Sequence, residues 1–406
     1  MSVISIFSGK FCNEKSIIIK LKNELILKVF DDKYILDKAS KLLDLEPAKM
    51  QKVFESKIPI FNKFTREREK SIAALKLAVA NELACPDVIY SGYITHLIPR
   101  ELSHILRICL IADKKYRINQ AKNEGVDEKT IEKIINESDE RKAFWTYSVM
   151  KESDPWKSEL YDIIIPTDKM SMEDIVNLIK DNIDSIVLKP TKTSLRAEKD
   201  FLLAAKVEFE LSRNGHFVDV IARDGMVTLV INKNVLFLGK LEEELKEIAG
   251  KVDGVNSIET RVGKGYYKTD IYHRFDFELP QKVLLVDDER EFVQTLSERL
   301  LIRNIGSTIA FDGESAIEIL ENEEPEVMVL DLKMPGKDGI EVLKHVKATK
   351  PNVEVIILTG HGSEADREIC MELGAFAYLN KPVNIQLLSD TMKKAYEKIQ
   401  KNKAIS

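Results

Sequence analysis

The 406-residue sequence is poor in the features that mark several function classes. Its four cysteines (Cys12, Cys85, Cys109 and Cys370) are widely scattered and form no C-x-x-C pair. That suits reduced, buried thiols better than a disulfide framework or a zinc site. No window approaches the roughly 18 uninterrupted apolar residues of a membrane span. The N-terminus lacks a basic stretch followed by a long apolar core, so no signal peptide is expected. Lys and Arg number 61 against 67 Asp and Glu, a net charge of −6 with no basic stripe. Nucleic acid is therefore not an expected partner, because phosphate contact needs clustered cations. The chain is expected to be soluble and cytoplasmic.

What is present, 44% hydrophobic and 32% charged residues, describes globular protein in two to four domains. In the first segment, short apolar runs ("VISIF", "DVIYSG", "ILRICLIAD", "YDIIIPTD") alternate with longer amphipathic stretches. That alternation predicts a parallel sheet with helices on both faces. After the polar linker "KPTKTS" (189–194) the order becomes helix, strand, strand, helix, strand, with Asp224-Gly225 and Asp253-Gly254 as turn signals. From Gln281 onward five strands ("KVLLVDD", "GSTIAF", "EVMVLDL", "VEVIILTG", "AFAYLN") alternate with helical periods, a doubly wound (βα)5 pattern. The expected fold class is α/β multidomain, with domains at 1–188, 195–265 and 281–402 and a linker at 266–280.

Open parallel sheets collect chemistry at the carboxyl ends of their strands. There the last segment places Asp287 and Asp288, then Asp331, Thr359 and Lys381. Three crowded carboxylates stay ionised together only beside a hard cation such as Mg²⁺ and a counter-charge such as Lys381. A carboxylate so placed can act as a nucleophile toward phosphorus and form an acyl phosphate. The stretches "LLVDDE", "VLDLKMPGKDG", "ILTGHG" and "YLNKP" resemble the receiver domain of two-component response regulators. The resemblance implies Asp331 as phosphoacceptor, with Mg²⁺ held by Asp287, Asp288, Asp331 and the backbone carbonyl of Lys333. It also implies a Thr359–Tyr378 switch pair, Lys381 neutralising the phosphate, a cis Lys381-Pro382 bond, and Lys333 and His361 flanking the pocket.

Near the N-terminus, "GKFCNEKS" (9–16) is one letter from the phosphate-cradling pattern G-x-x-x-x-G-K-[ST], with Glu14 in place of the last glycine. It lies between an apolar run and an amphipathic one, the strand–loop–helix setting the pattern requires. Glu14 is expected to bring a side chain where the backbone needs glycine-only angles. It also brings a negative charge: two like charges at 4 Å cost about 4 kcal/mol at an effective dielectric of 20, roughly a thousandfold in affinity. Lys15 and Ser16 keep the types that reach phosphate and metal. Residues 1–187 resemble the cytidylate kinase-like family through "DDKYILDKAS", "FNKFTREREKSIAALKLAV" and "LRICLIADKKYRINQAKNEGVDEKTIEKIINESDERKAFWTY". By that resemblance Arg117 and Arg141, with Lys142 beside them, are candidate phosphate clamps. Gly9, Glu14, Lys15, Ser16, Arg117 and Arg141 form a degenerate nucleotide site, at which ATP is not expected as a cofactor.

The middle segment resembles a BON domain through "DGMVTL" and "KVDGVNSIETRV". The resemblance carries no catalytic signature and implies an interaction module, with membrane-surface association a weaker implication. His216 and His273 lack paired ligands and are expected to serve packing or surface roles. The expected function is that of a response regulator phosphorylated on Asp331 by a sensor histidine kinase or phosphotransfer protein. Its kinase-like and BON-like output is largely non-catalytic, and a receiver-mediated homodimer is compatible with it. The alternative is a nucleotide or small-molecule kinase gated by that phosphorylation.

Overall fold

Strand β1 (Val3–Ser8) is a six-residue run buried at every position, as in a strand covered on both faces. The computed structural model describes residues 3–56, 60–183, 185–233, 235, 238–263, 279–360 and 362–405. After β1 come α1 (Glu14–Leu25), β2 (Lys28–Asp31), α2 (Asp32–Leu43), α3 (Pro47–Gln51), α4 (Asn62–Thr65) and α5 (Glu67–Glu82). They are followed by β3 (Val88–Ser91), β4 (Ile105–Ile111), α6 (Lys114–Asn123), α7 (Glu128–Met150), β5 (Ile163–Pro166), α8 (Met172–Ile183) and α9 (Lys192–Arg213).

These strands form a five-stranded parallel sheet in the order β2-β3-β1-β4-β5. Successive residues of a strand point to opposite faces. Val3, Val88, Tyr90 and Ile105 join one core cluster with α5 and Trp145. Ile4, Ile6, Ile89, Leu106 and Ile108 join another with α1 and α8. The expected two-faced sheet is therefore present.

A small sheet follows, of β6 (Asp219–Arg223), β7 (Met226–Ile231) and β8 (Ser257–Val262), with α10 (Leu238–Gly250) inserted before β8. β6 and β7 pair antiparallel around the Asp224-Gly225 turn, and β8 joins β7 in parallel. The expected helix–strand–strand–helix–strand order is observed. The stretch expected as a linker (189–194) differs, since α9 already begins at Lys192. That helix also belongs to the larger core: Ala205 and Phe209 are buried in the first cluster, and Lys76 pairs with Glu208 at 2.8 Å.

The C-terminal elements are β9 (Val283–Val286), α11 (Arg290–Leu301), β10 (Ser307–Ala310), α12 (Gly313–Asn322), β11 (Val327–Leu330), α13 (Gly339–Thr349), β12 (Glu354–Thr359), α14 (Glu364–Glu372), β13 (Ala377–Asn380) and α15 (Ile385–Ile405). The strand order is β10-β9-β11-β12-β13, all parallel. Leu284 and Met328 face one core cluster, Val283 and Val327 the other.

Contacts divide the chain into two units. One holds the described residues among 3–56, 68–213 and 217–263; the other holds 60–67, 214–216 and those from 279 on. Within the second unit, Phe61 is fully buried in the core cluster of Leu320 and Val353. Its backbone N–H donates to Glu323 at 3.4 Å, and Lys282 pairs with Glu67 at 2.6 Å. Most of the 266–280 stretch, His273 and His361 lie outside the described residues. His216 is buried, a packing position. No helix among the described residues is long and apolar enough to cross a membrane.

Candidate functional site

β9 lies between β10 and β11, so helices on either side of it leave the sheet in opposite directions and open a crevice at its carboxyl end. Asp287 is the first residue after β9 and Asp331 the first after β11; Thr359 closes β12 and Lys381 follows β13. Among the described residues, Asp287, Asp288 and Asp331 each offer an oxygen within 4.8 Å of the others. The Lys381 Nζ lies 2.7 Å from Asp287 Oδ2 and 3.1 Å from Asp331 Oδ2, and also 3.0 Å from Glu289. The Asp331 Oδ1 accepts the Leu332 N–H at 2.7 Å, which fixes the carboxylate's second oxygen.

Burial pushes the Asp287 carboxyl up, against the hydrogen bonds it accepts from Lys381 and the Glu289 N–H. Burial works to lower Lys381, but its bonds to Asp287 and Glu289 outweigh that and hold it above the ordinary lysine value. One ammonium thus faces three carboxylates. Asp287 and Asp331 are buried whereas Asp288 is exposed, which leaves one side of the cluster open to water. Hard oxygen donors, excess negative charge and a solvent side fit a small divalent cation that keeps several waters.

Thr359 is buried at the end of β12. The Tyr378 hydroxyl is buried without a hydrogen-bond partner among the described residues. A methyl group built on Gly362 would fall 1.6 Å from that hydroxyl and 2.9 Å from Thr359 Cγ2. The tyrosine ring therefore occupies space that only glycine leaves free, turned inward beside Thr359. The Lys381-Pro382 bond is cis, as expected. Among the described residues Asp287, Asp288, Asp331 and Lys381 converge, and Thr359 and Tyr378 meet at Gly362, which was not singled out from the sequence.

The N-terminal site is arranged differently from expectation. Glu14 is the first residue of α1, and the left-handed angles fall on Phe11 (φ 64) and Asn13 (φ 58) instead. The expectation of a glycine-only backbone at Glu14 is thus corrected: asparagine, which tolerates such angles, takes that conformation one residue earlier. Gly9 begins the loop, its N–H bonded to the Leu110 carbonyl at 2.9 Å. Lys15 and Ser16 are exposed in the first turn of α1. Glu14 Oε2 accepts the Ser8 hydroxyl at 2.6 Å.

The expected clamp is also altered. Arg117 is buried, with both terminal nitrogens on Asp139 at 2.8 Å and Nε on the Lys10 carbonyl at 2.8 Å. Burial pushes the Tyr93 hydroxyl up, and the nearby Arg141 works against that. Asp139 was not singled out, since its partner sits 22 residues away on another helix.

Residues 283–393 match the response regulator receiver domain, and residues 3–169 match the cytidylate kinase-like family. Over 103 residues the chain is 44% identical to the transcriptional regulatory protein CpxR of Escherichia coli K12. It is equally similar to CpxR of Klebsiella pneumoniae. The match covers 25% of this chain, which spans 44% of the length of these curated relatives. Among solved structures, the Francisella response regulator 1452 receiver domain is 32% identical and covers 29% of this chain and 98% of its own, at a TM-score of 0.28. A CheY-like receiver domain protein from Methanospirillum hungatei is 27% identical, covering 30% and 96% at a TM-score of 0.29.

Proposed function

We propose, for a chain that carries a cytidylate kinase-like domain at 3–169 and a response regulator receiver domain at 283–393, that it is a signalling switch phosphorylated on Asp331. The observation that carries the reading is Lys381, whose ammonium spans Asp287 and Asp331 at the switch point of the sheet. A sensor histidine kinase or phosphotransfer protein supplies a phosphohistidine. Asp331 Oδ2, the oxygen that Lys381 holds at rest, attacks phosphorus, the O–P bond of an acyl phosphate forms, and the N–P bond breaks. The leaving imidazole keeps the electron pair and takes its proton from water.

Asp287, Asp288, Asp331 and the Lys333 carbonyl are the residues that would hold Mg²⁺. When bound, the ion neutralises the charge on the phosphoryl oxygens. Lys381 gives up its bond to Asp331 and meets a phosphoryl oxygen instead. Thr359 supplies a hydroxyl to another, and the Tyr378 ring, already turned inward beside Gly362, packs behind it.

In this reading the boundaries fall at residues 188, 195 and 281, and the 195–265 module serves binding to other proteins. The kinase-like half is a non-catalytic output. The alternative, a phosphorylation-gated nucleotide kinase, has less support because Arg117 is already taken by Asp139. Incubation with phosphoramidate or acetyl phosphate and Mg²⁺ is expected to label one acid-labile site. Asp331→Asn is expected to abolish the label, and label persisting in that variant refutes the assignment.

A further inference from the structure

The edge of the receiver sheet opposite the Asp331 pocket is occupied as well. Lys282 stands immediately before β9 and Val353 immediately before β12, at the amino ends of the strands. Residues 60–67 lie against this edge, although they enter from between α3 and α5. Phe61 is fully buried there, and Asn62 and Thr65 are buried too. The Ile60 and Phe61 N–H groups both donate to the carboxylate of Glu323, just past α12, the second at 3.4 Å. Glu67 pairs with Lys282 at 2.6 Å. The Thr65 and Arg66 N–H groups donate to the Phe61 and Asn62 carbonyls at 2.9 Å, which closes the segment into one helical turn.

Phe61 belongs to the same buried cluster as Leu332 and Met334, which follow Asp331, and the Tyr378 ring packs against that cluster. The Leu332 N–H donates to Asp331 Oδ1 at 2.7 Å, and the Leu332 carbonyl accepts the N–H of Gly339, where α13 starts, at 2.9 Å. A methyl group on Gly339 would collide with the Asp331 carbonyl, so α13 packs directly on the backbone of the phosphoacceptor. Val342, Leu343 and Val346 carry that helix into the cluster that holds Phe61. Close-packed interiors compress little, so a displacement at one end of such a cluster is passed on rather than absorbed.

We infer that residues 60–67 are the receiver's output segment, docked on its amino edge at rest and loosened when Asp331 is phosphorylated. The inference rests on the reading of Asp331 as phosphoacceptor and names the partner on which that switch acts. An acyl phosphate adds bulk and charge beside Leu332, and the cluster behind it has to make room. Phe61 enters that cluster from a single turn tied at Glu323 and Lys282, whereas Leu332, Val342 and Val355 enter it from the sheet and its helices. The segment is therefore the member that yields. It leads through Arg66, whose φ of 51 breaks the helix, into α5, whose Ala74, Leu75 and Ala78 are buried in the core with Trp145. A change in docking thus reaches the kinase-like half along the chain itself.

The test uses the full chain with Mg²⁺ and beryllofluoride, a reversible stand-in for the phosphoryl group, and reads amide hydrogen exchange at residues 60–66. Beryllofluoride is expected to speed that exchange about fivefold or more, the lower end of ordinary coupling between sites. Asp331→Asn should abolish the effect, which separates it from general salt effects. Coupling is reciprocal, so a chain whose segment is already released should bind beryllofluoride more tightly by the same factor. Glu323→Ala releases the segment without opening a cavity in the core, and Phe61→Ala provides a second route to the same state. Exchange at 60–66 that is equal with and without beryllofluoride overturns the inference. So does a Glu323→Ala chain with fast-exchanging 60–66 and wild-type affinity for beryllofluoride. Phosphoramidate labelling of wild type keeps the two readings apart: a labelled chain with an unmoved segment overturns the coupling alone, whereas a chain that takes no label overturns the Asp331 reading and the coupling with it.

Discussion

Asp32 and His96 respond to acid in opposite senses within one domain. Burial pushes the Asp32 carboxyl up to about 7, against the Ile94 and Tyr93 N–H groups that hydrogen-bond it. Burial pushes His96 down to about 3, where its ring bridges Tyr161 at 3.0 Å and Thr146 at 3.2 Å. Between pH 4 and 7 the folded chain keeps the Asp32 proton that the unfolded chain has lost, so this group's contribution falls as pH rises. His96 acts the other way: its contribution is complete above pH ~6.5 and disappears as pH falls toward 3. Asp32→Asn, whose carbonyl can still accept the Ile94 N–H, removes only the first effect. Urea melts of this variant should show stability rising more steeply with pH from 4 to 7 than in wild type. Superimposable profiles would show that Asp32 carries no proton there.

The residues legible from sequence were those whose role follows from position on a strand, such as Asp287, Asp331 and Lys381 at strand ends. Asp139 and Gly362 were not legible, because what defines them is a neighbour distant along the chain. Asn13 left a signal that was available: it is the residue type in the loop best suited to the left-handed angle that it adopts.

Among the elements, α9 departs furthest from expectation. Its composition and the polar stretch before it read as the beginning of a separate small domain. Its 22 residues instead present two faces. Ala205 and Phe209 pack into the core that contains Trp145, and Leu203 lines the groove beside Gly225 and Gly254. A helix buried on two sides gives no stronger periodic signal than one buried on a broad single side, so the sequence did not distinguish them. Phe209→Ala should cost about 3–5 kcal/mol, the usual range for a buried aromatic truncation. Because α9 serves both sheets, the five-stranded and three-stranded sheets should lose hydrogen-exchange protection together in this variant. Loss confined to one sheet would separate them. The partly exposed Lys76–Glu208 pair should contribute little, about 1 kcal/mol or less.

For the whole molecule, alternation of strands and helices was enough to predict two parallel sheets, and both are present in the expected segments. Membership of the second unit was not predictable in the same way. Residues 60–67 belong to it by contact, although they lie far from it in sequence and nothing local in "IFNKFTRE" announces the association. Phe61→Ala should lower the stability of that unit by about 3–5 kcal/mol. Denaturant unfolding followed by a probe on α15 would read the change. An unchanged midpoint would remove Phe61 from that core.

Phe61 also sets an order of events during synthesis. The strands that bury it, ending with β12, leave the ribosome roughly three hundred residues later. At 5–20 residues per second that is a delay of about 15–60 s. For that interval the nascent chain displays a phenylalanine with no core to enter, so the second unit completes its interior only after nearly all of the polypeptide has been made.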